Sequence, residues 1–285
     1  MIFPVVVYFI IFRYWPMWWL RVAFYDFEIL RGFEGSEFVG LEYFITFLRN
    51  PRFLEILWNT VYLNILSLAF AFAAPIILAL LLNEIFNSKL KRVVQTISYL
   101  PFFLSTVVVV TMIETFLSPS IGTLNNILGN LGLEEIYFLG RAEFFRPIMI
   151  ISDIWQGVGW GSIIYLSAIS GIDTELYESA VIDGAKRYQQ ILFISIPGII
   201  TTIMIVLILQ MGQLLSVGFE KVFLLQNPMN IGVSEVLATY VFRRGIVGFD
   251  FGFATAVGLF NGVASLILIL LANRLSKKYS EVSLL

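Results

Sequence analysis

The chain has 285 residues, 59% of them hydrophobic and only 13% charged, with 18 basic residues against 20 acidic ones and a net charge of −2. That is too little polar surface to coat a soluble globule of this size, so the sequence reads as an integral membrane protein. The absence of Cys and His excludes disulfides, thiol chemistry and most zinc or haem ligation, and the lack of a basic tract argues against nucleic acid as a partner.

A spanning helix needs about 20 mostly apolar residues. Six stretches qualify, at about 2–24, 57–82, 97–117, 147–170, 198–218 and 251–273. Lipid does not tolerate open backbone, so each is expected as an α-helix despite the many Val and Ile, which makes the fold class all-α with six transmembrane helices. The opening Met1-Ile2-Phe3-Pro4 enters apolar sequence without the charged leader and small-residue cleavage site of a signal peptide, and is read as a retained membrane helix. Three short basic clusters, Lys89 with Lys91 and Arg92, Lys186 with Arg187, and Arg274 with Lys277 and Lys278, place one face in the cytoplasm. The loops at about 25–56, 118–146 and 219–250, which carry most of the acids including Glu235 and Asp250, then lie outside. No internal repeat and no repeated pattern of interrupted helices is expected.

Within the spans, Asp153 stands about one turn inside the fourth, followed by Trp155, Gln156, Gly157, Gly159, Trp160 and Gly161. Ionisable groups at bilayer depth are costly and mark cavities or partners. Aromatic faces suit pyranose rings, and amides or carboxylates suit hydroxyls, so a sugar pathway is one reading. Helix packing through Gly157 and Gly161, with the tryptophans as interfacial anchors, is the other. Gln210 and Gln213 in the fifth span and Asn261 in the sixth are open to the same pair of readings. Glu114 reads as an interfacial carboxylate, while Asn59 and Asn64 have a weaker claim on the pathway.

Between the fourth and fifth spans lies a polar island, about 171–197. Asp173 can cap a helix beginning at Thr174, with Glu175 and Glu178 near the positive end of its dipole. Gly184 suits the left-handed residue that ends a helix. Ser179, Ala180, Gly184 and Ala185 leave a shallow face able to enter a groove. Tyr188, Ile191, Leu192 and Ile194 offer an apolar side to pack on the bundle, and Pro197 opens the next span. Taken singly, these residues also fit an ordinary amphipathic connection.

Taken together, Glu178-Ser179-Ala180-Val181-Ile182-Asp183-Gly184-Ala185, then Ile194 or Ile196 and Pro197, resemble the EAA loop of binding-protein-dependent ABC importer permeases. Ser179 departs from the Ala usual there. Residues 91–101, 153–160, 240–245 and 254–260 look like the permeases of oligosaccharide and polysaccharide uptake, including the alginate and aldouronate type. The resemblance implies a single permease domain over 1–285, with the type I importer fold, a cytoplasmic coupling helix, and a bacterial cytoplasmic-membrane location. It implies that Glu178, Ser179, Ala180, Asp183, Gly184, Ala185 and Pro197 couple to the ATPases, and that the chain holds no cofactor. Its partners would be a second related permease, two cytoplasmic ATPases binding ATP and Mg, an extracellular solute-binding lipoprotein, membrane lipid and an oligosaccharide. The chain itself lacks a Walker loop, a Gly-x-Ser-x-Gly elbow and a histidine base, so it is not expected to be an enzyme. An ion- or proton-coupled transporter using Asp153 and Glu114 and a membrane glycosyltransferase are the competing classes, and a non-sugar solute the competing cargo.

Overall fold

A computed structural model describes residues 2–213, 215 and 218–280. Met1 and positions 214, 216 and 217, at the outer end of the fifth expected span, lie outside the described residues. The first helix, α1 (Ile2–Phe24), leads into a short antiparallel ribbon, β1 (Tyr25–Asp26) and β2 (Glu37–Phe38), which pairs Tyr25 with Phe38. Helix α2 (Glu42–Leu48) comes next, and α3 (Phe53–Asn83) follows as one 31-residue helix. Tyr43 of α2 donates to Asp26 at 2.9 Å; burial, then that bond, push its pKa above the ordinary tyrosine range.

Next come α4 (Ser88–Phe103), α5 (Thr106–Phe116), α6 (Thr123–Asn130) and the 29-residue α7 (Ala142–Ser170). The short α8 (Thr174–Ile182) precedes α9 (Arg187–Gly198) and α10 (Ile200–Met211). Short helices α11 (Phe219–Leu225), α12 (Ile231–Ser234) and α13 (Leu237–Val241) lead to α14 (Phe251–Ser280). Among the described residues three helices, α1, α3 and α14, are long and apolar enough to cross a membrane, and five stretches qualify if each bent pair is one span. Helix α7 is long enough at about 1.5 Å per residue, but Asp153, Gln156 and its glycines keep it less apolar than those three.

Two expected spans differ from the straight helices the sequence suggested. Residues 97–117 divide between α4 and α5, which meet at 100°. Pro101 has no N–H to continue the helical ladder, Leu104 turns extended, and the Ser105 hydroxyl restarts the helix by accepting from Val108 N at 3.4 Å. The stretch around the fifth expected span is the helix pair α9 and α10, Arg187 to Met211, which bends by 60° at Ile199, just after Pro197 and Gly198. Pro197 therefore stands beside the bend between α9 and α10. The helices are interrupted at both points, and prolines at about the same distance from Lys91-Arg92 and Lys186-Arg187 were the signal available.

Helix α7 is the strut against which these elements pack. It runs parallel to α3: Arg146 bonds Asn59, Gly161 faces Pro75, and Tyr165 clusters with Ala79 and Leu82. A second cluster around Leu63, Val110, Phe145, Met149 and Val222 joins α3, α5, α7 and α11, and a third around Phe47, Ile56, Leu237 and Phe253 joins α2, α3, α13 and α14. Close packing through Gly157 and Gly161 needs correction. A Cβ on Gly159 would sit 2.0 Å from the Ser98 carbonyl oxygen, whereas Gly157 faces open space. The glycine that lets α4 approach α7 is therefore Gly159, with Gly161 fitted against Pro75. Elsewhere the helices present apolar side chains outward, and no residue of α1 up to Tyr14 is buried. Such a surface suits lipid or another apolar protein.

Candidate functional site

The loop between α7 and α9 forms a capped knob. The Asp173 carboxylate accepts from Glu175 N at 3.0 Å, satisfying an amide that the first helical turn leaves free. At the other end Gly184 takes φ +77°, Gly184 N donates to Val181 O at 3.0 Å, and Ala185 N donates to Ala180 O at 2.8 Å. This paired closure satisfies the last carbonyls of α8, and its left-handed residue favours glycine for conformation rather than space, since nothing lies within 4 Å of a Cβ there.

Glu178, Ser179, Asp183 and Gly184 are exposed, Ala180 and Ala185 half-buried. Leu176, Val181 and Ile182 of α8 are exposed too, Ile182 at 85%. The knob thus offers apolar side chains as well as a shallow small-residue face. Its base is held by Tyr177 hydroxyl to Ser195 Oγ at 2.9 Å and by Gln190, buried, donating to Ala185 O at 3.2 Å. Only part of the expected packing side turns inward, because Tyr188 and Leu192 are exposed while Ile191 and Ile194 are half-buried.

A second cluster forms where α4 breaks from α5. Gln156 donates to the Leu104 carbonyl at 3.1 Å, taking up an acceptor released by the break. One face of α7 carries Asp153, Gln156 and Trp160, at positions i, i+3 and i+7. Phe102 stacks on Trp160 at 4.7 Å, nearly parallel, and Phe103 meets its edge, so part of the Trp160 ring surface is occupied within the chain. Trp155 is exposed and its position falls on the opposite face.

Asp153 pairs with Lys221 of α11 at 2.6 Å; the lysine side chain is 8% exposed and the aspartate 34%. Thr106, Asp153, Gln156, Glu220 and Lys221 line a cavity of 280 Å³. Lys221 escaped the sequence reading because its partner lies 68 positions away, although a lone cation inside the apolar run Phe219–Leu225 was a signal. Gln210, Gln213 and Asn261 do not line this cavity. Gln210 and Gln213 are exposed, and Asn261 is half-buried with its Oδ1 buried and without a hydrogen-bond partner. The structure therefore brings together Asp153, Gln156 and Trp160 and sets the other pathway candidates apart.

Near the start of α3, Glu235 is fully buried and pairs with Arg52 at 2.6 Å and Arg243 at 3.5 Å. Bonding to Glu55, with the Glu235 charge adding, outweighs burial and raises the Arg52 pKa above the ordinary arginine value. Asn59 donates to the Gly232 and Glu235 carbonyls, so the start of α3 is fastened to the segment before α13. Sequence reasoning had put Glu235 among the outer acids without seeing that it is buried.

The description "binding-protein-dependent transport system inner membrane component" fits the family model that matches residues 71–280. Protein LplB of Bacillus subtilis is 42% identical over 284 residues, covering 100% of this chain and 89% of its own. The polygalacturonan/rhamnogalacturonan transport system permease protein YteP of Bacillus subtilis is 44% identical over 281 residues, covering 99% and 88%. Among solved structures, one chain of a bacterial alginate ABC transporter, in complex with an alginate pentasaccharide-bound periplasmic protein, superposes with a TM-score of 0.92 at 41% identity over 100% of this chain and 95% of that one. Helices, bends and these likenesses define a transport permease with the type I ABC fold, not an enzyme. The chain belongs to the binding-protein-dependent transport system inner membrane components and is an ABC importer permease.

Proposed function

We propose that this chain is one of two permease subunits of a bacterial importer for acidic oligosaccharides, working by alternating access in the cytoplasmic membrane. The observation that carries the reading is the likeness at TM-score 0.92 over the whole chain to the alginate transporter, supported by the similarity to YteP. Counting each bent pair as one span and α7 as another gives six passes in one permease domain, with α8 in the cytoplasm as the coupling helix. Two partner ATPases hold ATP and Mg. Their closure pushes on Glu178, Ser179, Ala180, Asp183, Gly184 and Ala185, and the motion passes through the bend beside Pro197 to α10.

An extracellular solute-binding lipoprotein delivers the sugar from outside. The cavity at the α4–α5 break is the part of the pathway this chain contributes, with Asp153, Gln156 and Thr106 as hydroxyl partners and Lys221 holding Asp153 in place. Trp155, Gln210, Gln213 and Asn261 are kept as pathway candidates only where a second permease would face them.

Affinity purification of the tagged chain, followed by uptake of uronate oligosaccharides by the recovered complex in proteoliposomes, tests this. The expected result is recovery of a second permease and two ATPases, with uptake that requires ATP and the binding protein. Recovery of the chain alone, or uptake of neutral sugars only, would reject the respective half of the proposal.

A further inference from the structure

We propose that the cleft between α3 and α7, at the end where both helices begin, holds an anionic phospholipid with its phosphate on Arg146 and an acyl chain along the floor below. The cleft has a volume of 510 Å³. Its mouth carries Tyr62, Arg146 and Glu143, whose carboxylate is turned to Arg141, and its floor is Leu66, Phe70, Ile151 and Ile154. Because the two helices run parallel, both place the polar residue first and the apolar ones deeper. From Arg146 to Ile154 is about 12 Å at the helical rise of 1.5 Å per residue, enough for a good part of an acyl chain.

The charge at the mouth is the decisive feature. Arg146 Nη2 donates to Asn59 Oδ1 at 2.9 Å, and the guanidinium lies over the Tyr62 ring at 4.6 Å. Both of these partners are neutral. None of the ion pairs among the described residues includes Arg146, since the nearby Glu143 faces Arg141 at 3.7 Å. Its Nε is buried with no acceptor. A guanidinium at the membrane boundary is costly without an anion, and a phosphate offers the two oxygens that its fork matches.

The floor decides between a lipid and a free anion. Phe70 and Ile151 remain 56% and 67% exposed, so the cleft is open sideways to the bilayer and apolar where an inorganic ion would find no partner. Trp58, exposed and stacked on Tyr62 at 5.4 Å, is the kind of side chain found at headgroup level. The inference needs only the membrane location and is independent of the transported solute.

The test uses the affinity-purified transporter in nanodiscs of phosphatidylcholine containing some phosphatidylglycerol, with native mass spectrometry of the released complex. Wild type should retain phosphatidylglycerol over phosphatidylcholine by about tenfold, the scale of a charge-assisted contact. Arg146→Gln should abolish the preference. Ile151→Trp, which fills the floor without touching the guanidinium, should lose the lipid while its unfolding temperature stays that of wild type. No enrichment in wild type, retention at the wild-type level by either variant, or displacement by inorganic phosphate would overturn the proposal. A photo-crosslinker at Ile151 that captures another protein chain instead of lipid would do the same.

Discussion

The knob around α8 and the cluster at the α4–α5 break are both polar features of an apolar chain, yet they are built in opposite ways. The knob is closed by bonds between residues two to five positions apart, such as Glu175 to Asp173 and Ala185 to Ala180, and its outer surface is open. The cluster depends on partners far away in the chain, Gln156 with Leu104 and Lys221 with Asp153, and the lysine is itself buried. A locally closed element can be pushed as a unit without unravelling. A cluster tied across α4, α7 and α11 instead registers how those helices stand relative to one another, which suits a place where a pathway opens and shuts.

The strongest way to break this contrast is at the helix crossing that supports the cluster. Gly159→Ala puts a Cβ 2.0 Å from a backbone oxygen, which cannot rotate away, so it should cost about 3 kcal/mol and lower the unfolding temperature in detergent. Gly157→Ala, two positions along and facing open space, should be neutral or stabilise by up to about 1 kcal/mol. Equal effects from the two would mean that α4 and α7 do not approach as described.

Next in size is the ion pair. Asp153→Ala leaves Lys221 buried without its anion, a loss on the order of 2–3 kcal/mol once the partial exposure of the aspartate is allowed for. Uptake should fall with it. Lys221→Met, which leaves the more exposed partner, should cost less in stability. The reverse order, measured by thermal unfolding, would mean that Asp153 is the buried member. Gln156→Leu should cost about 1–2 kcal/mol by stranding the Leu104 carbonyl, and should alter uptake more than ATPase activity if the break lies on the pathway.

A small expected loss of stability accompanies the largest functional effect. Gly184→Arg forces a side chain onto a left-handed residue at about 1 kcal/mol, within the tolerance of an exposed turn, so the chain should insert and assemble. Transport should nevertheless uncouple from ATP hydrolysis. Gly184→Ala carries the same backbone strain without the bulk, and its transport should stay near wild type. Equal loss in both would assign the effect to strain rather than to docking.

The same contrast explains what could be read before the structure was known. Asp173, Gly184 and the knob between them were legible because capping and left-handed turns are decided by residues within one or two helical turns. Membrane helices were legible from apolar length, though not their bends: Pro101 and Pro197 were visible, but a proline inside an apolar run can be absorbed by neighbouring helices. Lys221 and Glu235 could not be paired from sequence, because their partners are brought together only when α7, α11, the start of α3 and the segment around α13 pack. Gly159 was passed over for Gly157 and Gly161 because spacing alone does not say which glycine of three faces the neighbouring helix.

The central claim is that α8 and its flanks pass on force generated by other subunits. Proteoliposomes containing the chain alone, compared with the affinity-purified complex under identical solute gradients, test it most directly. The account predicts no net uptake by the isolated chain and ATP-dependent uptake by the complex that Gly184→Arg abolishes. Sustained uptake by the isolated chain without nucleotide would contradict it.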